Sequence, residues 1–180
     1  MDAARISRLR VFGDRCSILA RAVGLTEARD SGGAGFAGAG SGKRDGGGGG
    51  VAEYQVVKLE DVDDWLGDYP GEMRGITYAI GAEQVAITHR RMPQHTGSKG
   101  SYGHRHKTQE EIVLVLSGRL QFKLDDEIIE LEKNEAIRIP PHTVRGIWND
   151  EPEDAEIVIV SKRIDDPQGD AESVPDFWPE

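Results

Sequence analysis

The 180-residue sequence has little cysteine, little positive charge and no long apolar run. Its one cysteine, Cys16, cannot form an internal disulfide, so a reducing cytoplasm is the expected compartment. The longest apolar run, Ile112 to Leu116, is far shorter than the roughly 18 residues that a membrane helix needs. The formal net charge is −10, which would repel phosphate-rich partners. We therefore expect neither a nucleic acid nor a membrane as a partner.

The distribution of charge and glycine marks a boundary near residue 50. Residues 1–50 carry eight basic and five acidic side chains, whereas residues 51–180 carry 14 basic and 27 acidic side chains. Residues 31–50 contain 11 glycines, which have the most backbone entropy to lose on folding and no side chain to bury. We predict that residues 1–50 form a disordered, glycine-rich extension. Two other interpretations stay open, namely an organelle transit peptide and translation that begins at Val51.

Short β-rich runs separated by turn residues predict an antiparallel all-β sandwich or barrel over residues 75–162. The predicted strands are Gly75–Ile80, Glu83–Met92, Glu111–Leu116, Arg119–Leu124, Ile128–Leu131, Ala136–Ile139, Val144–Trp148 and Glu156–Ser161. Residues 51–74 are predicted to add a strand at Tyr54–Leu59 and a helical turn at Asp61–Leu66. Residues 163–180 form a tail whose Phe177 and Trp178 are expected to dock on the barrel or on a second subunit.

A histidine pair carries the strongest chemical signal. Four of the five histidines fall between residues 89 and 106, and two of them form the sequence His104-Arg-His106. On a strand, residues i and i+2 face the same side, so both imidazoles point one way. Glu111 can supply a carboxylate from the start of the next strand. Two neutral imidazoles and one carboxylate suit a divalent ion such as Fe, Mn, Zn or Ni and leave coordination positions open.

The spacing of these residues resembles the first motif of the cupin family, which continues from His-x-His to a glutamate and then a glycine. Here His104, His106, Glu111 and Gly118 match, although the leading glycine is displaced. The second motif is matched by Pro140 and Asn149, but Arg145 stands where that motif has its histidine. The resemblance implies a double-stranded β-helix, or jelly-roll barrel, and a divalent metal held by His104, His106 and Glu111.

Arg145 leaves two interpretations open because a guanidinium stays protonated and cannot bind a metal. It either turns aside to hold a carboxylate or phosphate of a ligand, or it pairs with Glu111 in a metal-free barrel. Because of strand parity, His89 and Arg91 are also candidate ligand-binding residues in the pocket. His142 is expected to be a turn residue, since histidine tolerates the left-handed conformation.

The resemblance favours a small-molecule site of unknown substrate. A dioxygenase or a sugar or sugar-phosphate isomerase would use the metal, and the alternative is a metal-free ligand-binding or regulatory protein. We also expect a homodimer.

Overall fold

The computed structural model describes residues 54–180, so the predictions for residues 1–50 lie outside the described residues. The strands are β1 Glu72–Gly75, β2 Val85–Met92, β3 Thr96–Gly97, β4 Ser101–His106, β5 Glu111–Ser117, β6 Arg119–Leu124, β7 Glu127–Glu132, β8 Ala136–Ile139, β9 Arg145–Asn149, β10 Ala155–Lys162 and β11 Ala171–Trp178. The helical segments are a 3₁₀ turn at Leu59–Asp61 and two short helices, α1 Ile76–Ala79 and α2 Pro167–Asp170.

The strands form two antiparallel sheets. One has the order β1-β2-β10-β5-β8, and the other has the order β11-β4-β9-β6-β7, with β3 paired to β9. Most sheet neighbours are distant in sequence, as in a barrel whose strands wind between two sheets. The predicted all-β fold, an antiparallel double-stranded β-helix, is confirmed.

The core lies between the sheets, because alternate residues of each strand point inward. On β5, Val113 and Val115 are buried while Ile112 and Leu114 are exposed. The buried apolar cluster consists of Met92, Val113, Val115, Leu120, Phe122, Ile139, Ile147, Ala155 and Ile157. Gly118 connects β5 to β6 with a φ of +74°, a left-handed conformation that glycine adopts without strain. This packing fixes which side chains of β4 and β5 face the interior.

The segment before β2 departs from the sequence-based prediction in three places. The predicted helical turn at Asp61–Leu66 is replaced by the 3₁₀ turn at Leu59–Asp61 and an isolated β-bridge between Asp64 and Arg74. Residues 54–58 form no strand, and the side chains of Tyr54 and Val56 are 64% and 84% exposed, so they have no sheet face to cover. The predicted strand at Gly75–Ile80 ends at Gly75, and α1 follows. The Thr77 hydroxyl accepts a hydrogen bond from Ile87 N at 2.6 Å, which holds this turn against β2.

The C-terminal tail belongs to the barrel. β11 pairs with β4 in antiparallel register, and Trp178 is only 4% exposed. The Phe177 ring packs where a Cβ on Gly103 would overlap it, and Lys123 Nζ lies 4.6 Å from the ring centroid. No helix within residues 54–180 is long and apolar enough to cross a membrane.

Candidate metal centre and its cavity

The two sheets bring His104, His106 and Glu111 together inside the barrel. His104 pairs across the ladder with Arg145 of β9, and Glu111 pairs with the buried Ile139 of β8. One ligand atom from each of the three residues lies within 4.8 Å of the others. The His104 and His106 rings have centroids 5.4 Å apart and are nearly perpendicular, at 87°. These residues therefore form one cluster at the end of β4 and the start of β5.

The spacing of the donors suits a divalent ion. Nitrogen and oxygen ligands lie about 2 Å from zinc, so neighbouring donors around one ion are roughly 3 Å apart. His106 Nε2 and Glu111 Oε1 are separated by 3.4 Å, close to that spacing. A ring nitrogen of His104 lies within 4.8 Å of a donor atom of each of the other two residues and can supply the third donor. The residues present thus fit a metal in a facial arrangement that leaves positions for a ligand.

The protonation states of the cluster also suit a cation. Burial, which outweighs the opposing charge of Glu111 and is reinforced by the charge of Arg145, lowers the pKa of His104 to about 4. Burial raises the pKa of Glu111, but the hydrogen bond with His106 and the charge of Arg145 outweigh it and bring the value to about 2. At neutral pH the His104 imidazole is therefore neutral and the Glu111 carboxylate is ionised.

Asp170, at the end of α2, is a site residue that the sequence analysis missed. Its Oδ2 lies 3.0 Å from His106 Nδ1, and its Oδ1 accepts hydrogen bonds from Thr108 N at 2.8 Å and Thr108 Oγ1 at 2.6 Å. Burial raises the pKa of Asp170, but the bonds from Thr108 and from Gln109 N outweigh it, so the net shift is downward. In the tautomer with the proton on Nδ1, that N–H donates to Asp170 Oδ2, and Nε2, which lies 3.4 Å from Glu111 Oε1, would then be available to a metal.

Only a weak sequence signal marks this residue. Asp166 begins α2 as its N-cap, with Oδ1 accepting from Gly169 N at 2.8 Å, and Pro167 occupies the first turn. These features predict a helical turn. They say nothing about the contact with His106, which lies 64 residues earlier.

Arg145 pairs with Glu111, as one of the two interpretations of the sequence proposed. Its Nε and Nη2 donate to Glu111 Oε2 at 3.0 and 2.7 Å, and its Nη1 donates to Thr143 O at 3.1 Å. Arg145 is only 1% exposed. Because both bonds use Oε2, the other oxygen of Glu111 still faces His106.

The predicted placement of His89 and Arg91 in the pocket is corrected by the structure. His89 Nε2 lies 3.4 Å from Glu156 Oε2, and Arg91 forms ion pairs with Glu72 and Asp154 at 2.9 and 2.7 Å. The alternate residues of β2, including Arg90, line the cavity instead. The face of β2 that lines the cavity therefore carries Ala86, Thr88 and Arg90.

His142 and His95 lie outside the cluster. Both are exposed and have positive φ values, 71° and 59°. The prediction that His142 is a turn residue is confirmed.

A cavity of about 220 Å³ opens beside the cluster. Its walls include Trp65 and Tyr78, whose rings lie 6.0 Å apart, and the backbone around Ser98 and Gly146. Three arginines and one glutamate also line it, namely Arg90, Arg145, Arg163 and Glu111. The cavity is thus positively charged although the whole chain is acidic.

Comparison with known proteins assigns the barrel. Residues 90–161 match the Cupin domain family, and this range contains the His104–Glu111 cluster and Arg145. The chain contains a cupin-superfamily domain. It has 46% identity over 46 residues to an uncharacterized protein of Methanocaldococcus jannaschii, an alignment that covers 26% of this chain and 37% of that protein.

Solved structures show the same fold at low identity. A Bacteroides fragilis cupin protein aligns with a TM-score of 0.50 and 20% identity, over 66% of this chain and 92% of that chain. A Klebsiella pneumoniae protein with a double-stranded β-helix domain aligns with a TM-score of 0.52 and 13% identity, over 68% of this chain and 98% of that chain. The polyketide cyclase RemF of Streptomyces resistomycificus aligns with a TM-score of 0.51 and 20% identity, over 63% of this chain and 89% of that chain. These likenesses establish the fold of the cupin domain and nothing about its substrate.

Proposed function

We propose that the cupin domain binds a divalent metal ion through His104, His106 and Glu111 and binds a small organic molecule beside it in the cavity. The contact between Asp170 Oδ2 and His106 Nδ1, at 3.0 Å, carries this proposal. Histidines that bind metals usually donate their second ring N–H to a carboxylate or carbonyl, which fixes the tautomer and the ring orientation. A histidine with only a packing role does not need a carboxylate partner that three further hydrogen bonds, from Thr108 and Gln109, hold in place.

The chemistry of the site follows from its donor set. A bound divalent ion would polarise a carbonyl or phosphoryl oxygen of the ligand. Asp170 would hold His106 in place, and the Arg145–Glu111 pair would fix the orientation of the carboxylate. The neutral His104 would complete the three donors without adding charge. The two predicted reaction classes, dioxygenation and sugar or sugar-phosphate isomerisation, stay predictions, because both can use three protein ligands and open positions.

The buried Arg145–Glu111 pair favours a second candidate, a metal-free ligand-binding protein. The guanidinium neutralises the one carboxylate of the cluster, as a metal would. A cation near a divalent ion also weakens metal binding through like-charge repulsion. In this case the cavity would bind its ligand by hydrogen bonds and charge alone.

Elemental analysis of the full-length protein, purified without a histidine tag, separates the two candidates. The wild-type protein is expected to carry close to one transition-metal ion per chain, and Glu111→Gln is expected to lose it. Glu110→Gln is the matched control, since the neighbouring Glu110 is exposed and pairs with Arg138 on the outer face. A folded wild-type protein that takes up no Zn²⁺, Ni²⁺ or Fe²⁺ would select the metal-free candidate.

The homodimer and the cytoplasmic location stay predictions. The outward side chains of Ile112 and Leu114, 45% and 37% exposed, support a subunit contact on the face of β5. Sedimentation of the wild-type protein and an Ile112→Glu variant would test it.

A further inference from the structure

Arg90 is the second arginine of the cavity, and the proposed metal site gives it no role. It lies in β2, where it pairs with Ile157 of β10 across the ladder. Residues paired in this way have side chains on the same face of the sheet. Because Ile157 is completely buried, Arg90 must also point into the barrel, where it lines the cavity.

The guanidinium of Arg90 lacks the support that Arg145 has. Its Nε is buried and has no hydrogen-bond partner among residues 54–180. Burial lowers the pKa of Arg90, and the nearby Tyr69 and Tyr102 only oppose that shift in part. Arg90 as a whole is half-buried, and no carboxylate of residues 54–180 forms an ion pair with it. An enclosed donor of a charged group that has no partner is costly, and a bound ligand can remove that cost.

The charges around Arg90 select the sign of that partner. The one carboxylate that lines the cavity, Glu111, already accepts two hydrogen bonds from Arg145. The third lining arginine, Arg163, is exposed at the rim, where its Nη1 donates to Ala82 O and its guanidinium lies 6.0 Å from the Tyr78 ring. No acidic side chain of the described residues is left to neutralise Arg90. The cavity therefore attracts an anion.

We infer that Arg90 forms an anion-binding subsite, and that the ligand of the cavity is a small organic acid or phosphate ester. This inference deepens the proposed function and rests on it, since it gives a chemical class to the ligand of the same cavity. The planar guanidinium matches carboxylate and phosphate oxygens with two parallel hydrogen bonds. A cavity of about 220 Å³ is smaller than the roughly 300–1,000 Å³ of most pockets for drug-sized ligands, so the ligand has the size of a small metabolite.

The test uses full-length protein freed of metal with a chelator and then desalted. Inorganic phosphate and acetate are titrated separately at constant ionic strength, with chloride as the reference, by calorimetry and by thermal melting. At least one of the two anions is expected to bind and to raise the melting temperature. A response to phosphate alone indicates a phosphate ester, and a response to acetate alone indicates a carboxylic acid.

Three variants locate the effect. Arg90→Met is expected to bind the anion at least about tenfold more weakly, the loss typical of a charge-assisted hydrogen bond, while melting at or above the wild-type temperature. Arg90→Lys keeps the charge but not the planar fork, and an intermediate affinity is expected. Arg138→Met is the control, because Arg138 is exposed and pairs with Glu110 outside the cavity.

Three results would overturn the inference. They are a wild-type protein that responds to neither anion, an Arg90→Met protein that responds as the wild type does, and an Arg90→Met protein that melts well below it. The last result would mean that Arg90 supports the barrel. Because these titrations are made without metal, a separate failure to bind Zn²⁺ or Ni²⁺ would contradict the metal site and leave the anion subsite standing.

Discussion

Replacement of Arg145 by histidine tests both roles of the buried pair in one protein. The change restores the histidine of the second cupin motif and removes the guanidinium that binds Glu111 Oε2 through two hydrogen bonds. In metal-free buffer the Glu111 carboxylate then loses its cationic partner. With metal, the new imidazole can add a fourth donor at the position from which a positive charge has been removed.

Two considerations give the order of magnitude of the cost in metal-free buffer. Breaking a buried ion pair by removing one partner usually costs about 3–5 kcal/mol. A carboxyl whose pKa falls from 4.5 to about 2 on folding contributes about 3 kcal/mol to the free energy of unfolding at neutral pH, and for Glu111 this contribution is shared between the hydrogen bond with His106 and the charge of Arg145. For a domain of this size such a loss lowers the melting temperature by roughly 10–20 °C.

Thermal melting of both proteins, with and without Zn²⁺ or Ni²⁺, measures the two effects. We expect Arg145→His to melt lower without metal, to recover when metal is added, and to bind metal more tightly than the wild type. The matched control is Arg138→His, which breaks only an exposed pair and is expected to change stability by less than about 1 kcal/mol. An Arg145→His protein that melts like the wild type and binds metal no better would refute the reasoning.

Three further changes test the surroundings of the cluster. Asp170→Asn should weaken Zn²⁺ binding about 10–100-fold in a metal titration while the protein stays folded, whereas exposed Glu172→Gln should not. The unfolded metal-free protein takes up the His104 proton between pH 6.5 and about 4 and the folded protein does not, so stability should fall as the pH falls through this range. Urea melts should show a flatter profile for His104→Asn and an unchanged one for His142→Asn. Gly103→Ala should lower the melting temperature, because its Cβ would overlap the Phe177 ring; an unchanged melting temperature would mean that this ring moves freely.

The strands around the core could be predicted from the sequence because one face of each is packed. The observed bounds of β6 and β8 equal the predicted ones, and β5 differs by one residue. On β2 the alternation of apolar and polar residues does not identify the inward face. Its more apolar residues, including Val85 at 42% exposure, lie on the outer face, while Thr88 and Arg90 face inward. Alternation identifies the buried face only where that face is apolar, and this one lines a cavity.

The cluster itself was accessible to sequence analysis because its three residues lie within eight consecutive positions, from His104 to Glu111. The Asp170 carboxylate that supports His106 could not be predicted from the sequence. The contact of His106 with Asp170 spans 64 residues and depends on the pairing of β11 with β4. The aromatic residues Phe177 and Trp178 indicated that the tail packs against another surface, but no local pattern indicates which strand it pairs with or which side chain Asp170 contacts.

The pairing of the C-terminal strand with the strand of the two histidines makes the chain end and the cluster a single cooperative unit. β11 is an edge strand, and edge segments open locally at a lower free energy than the core does. Each opening of α2 and β11 withdraws the Asp170 carboxylate from His106 and exposes the ring to solvent. Amide hydrogen exchange in the last dozen residues should therefore report the state of two imidazoles that lie far earlier in the chain. Occupation of the site should slow that exchange.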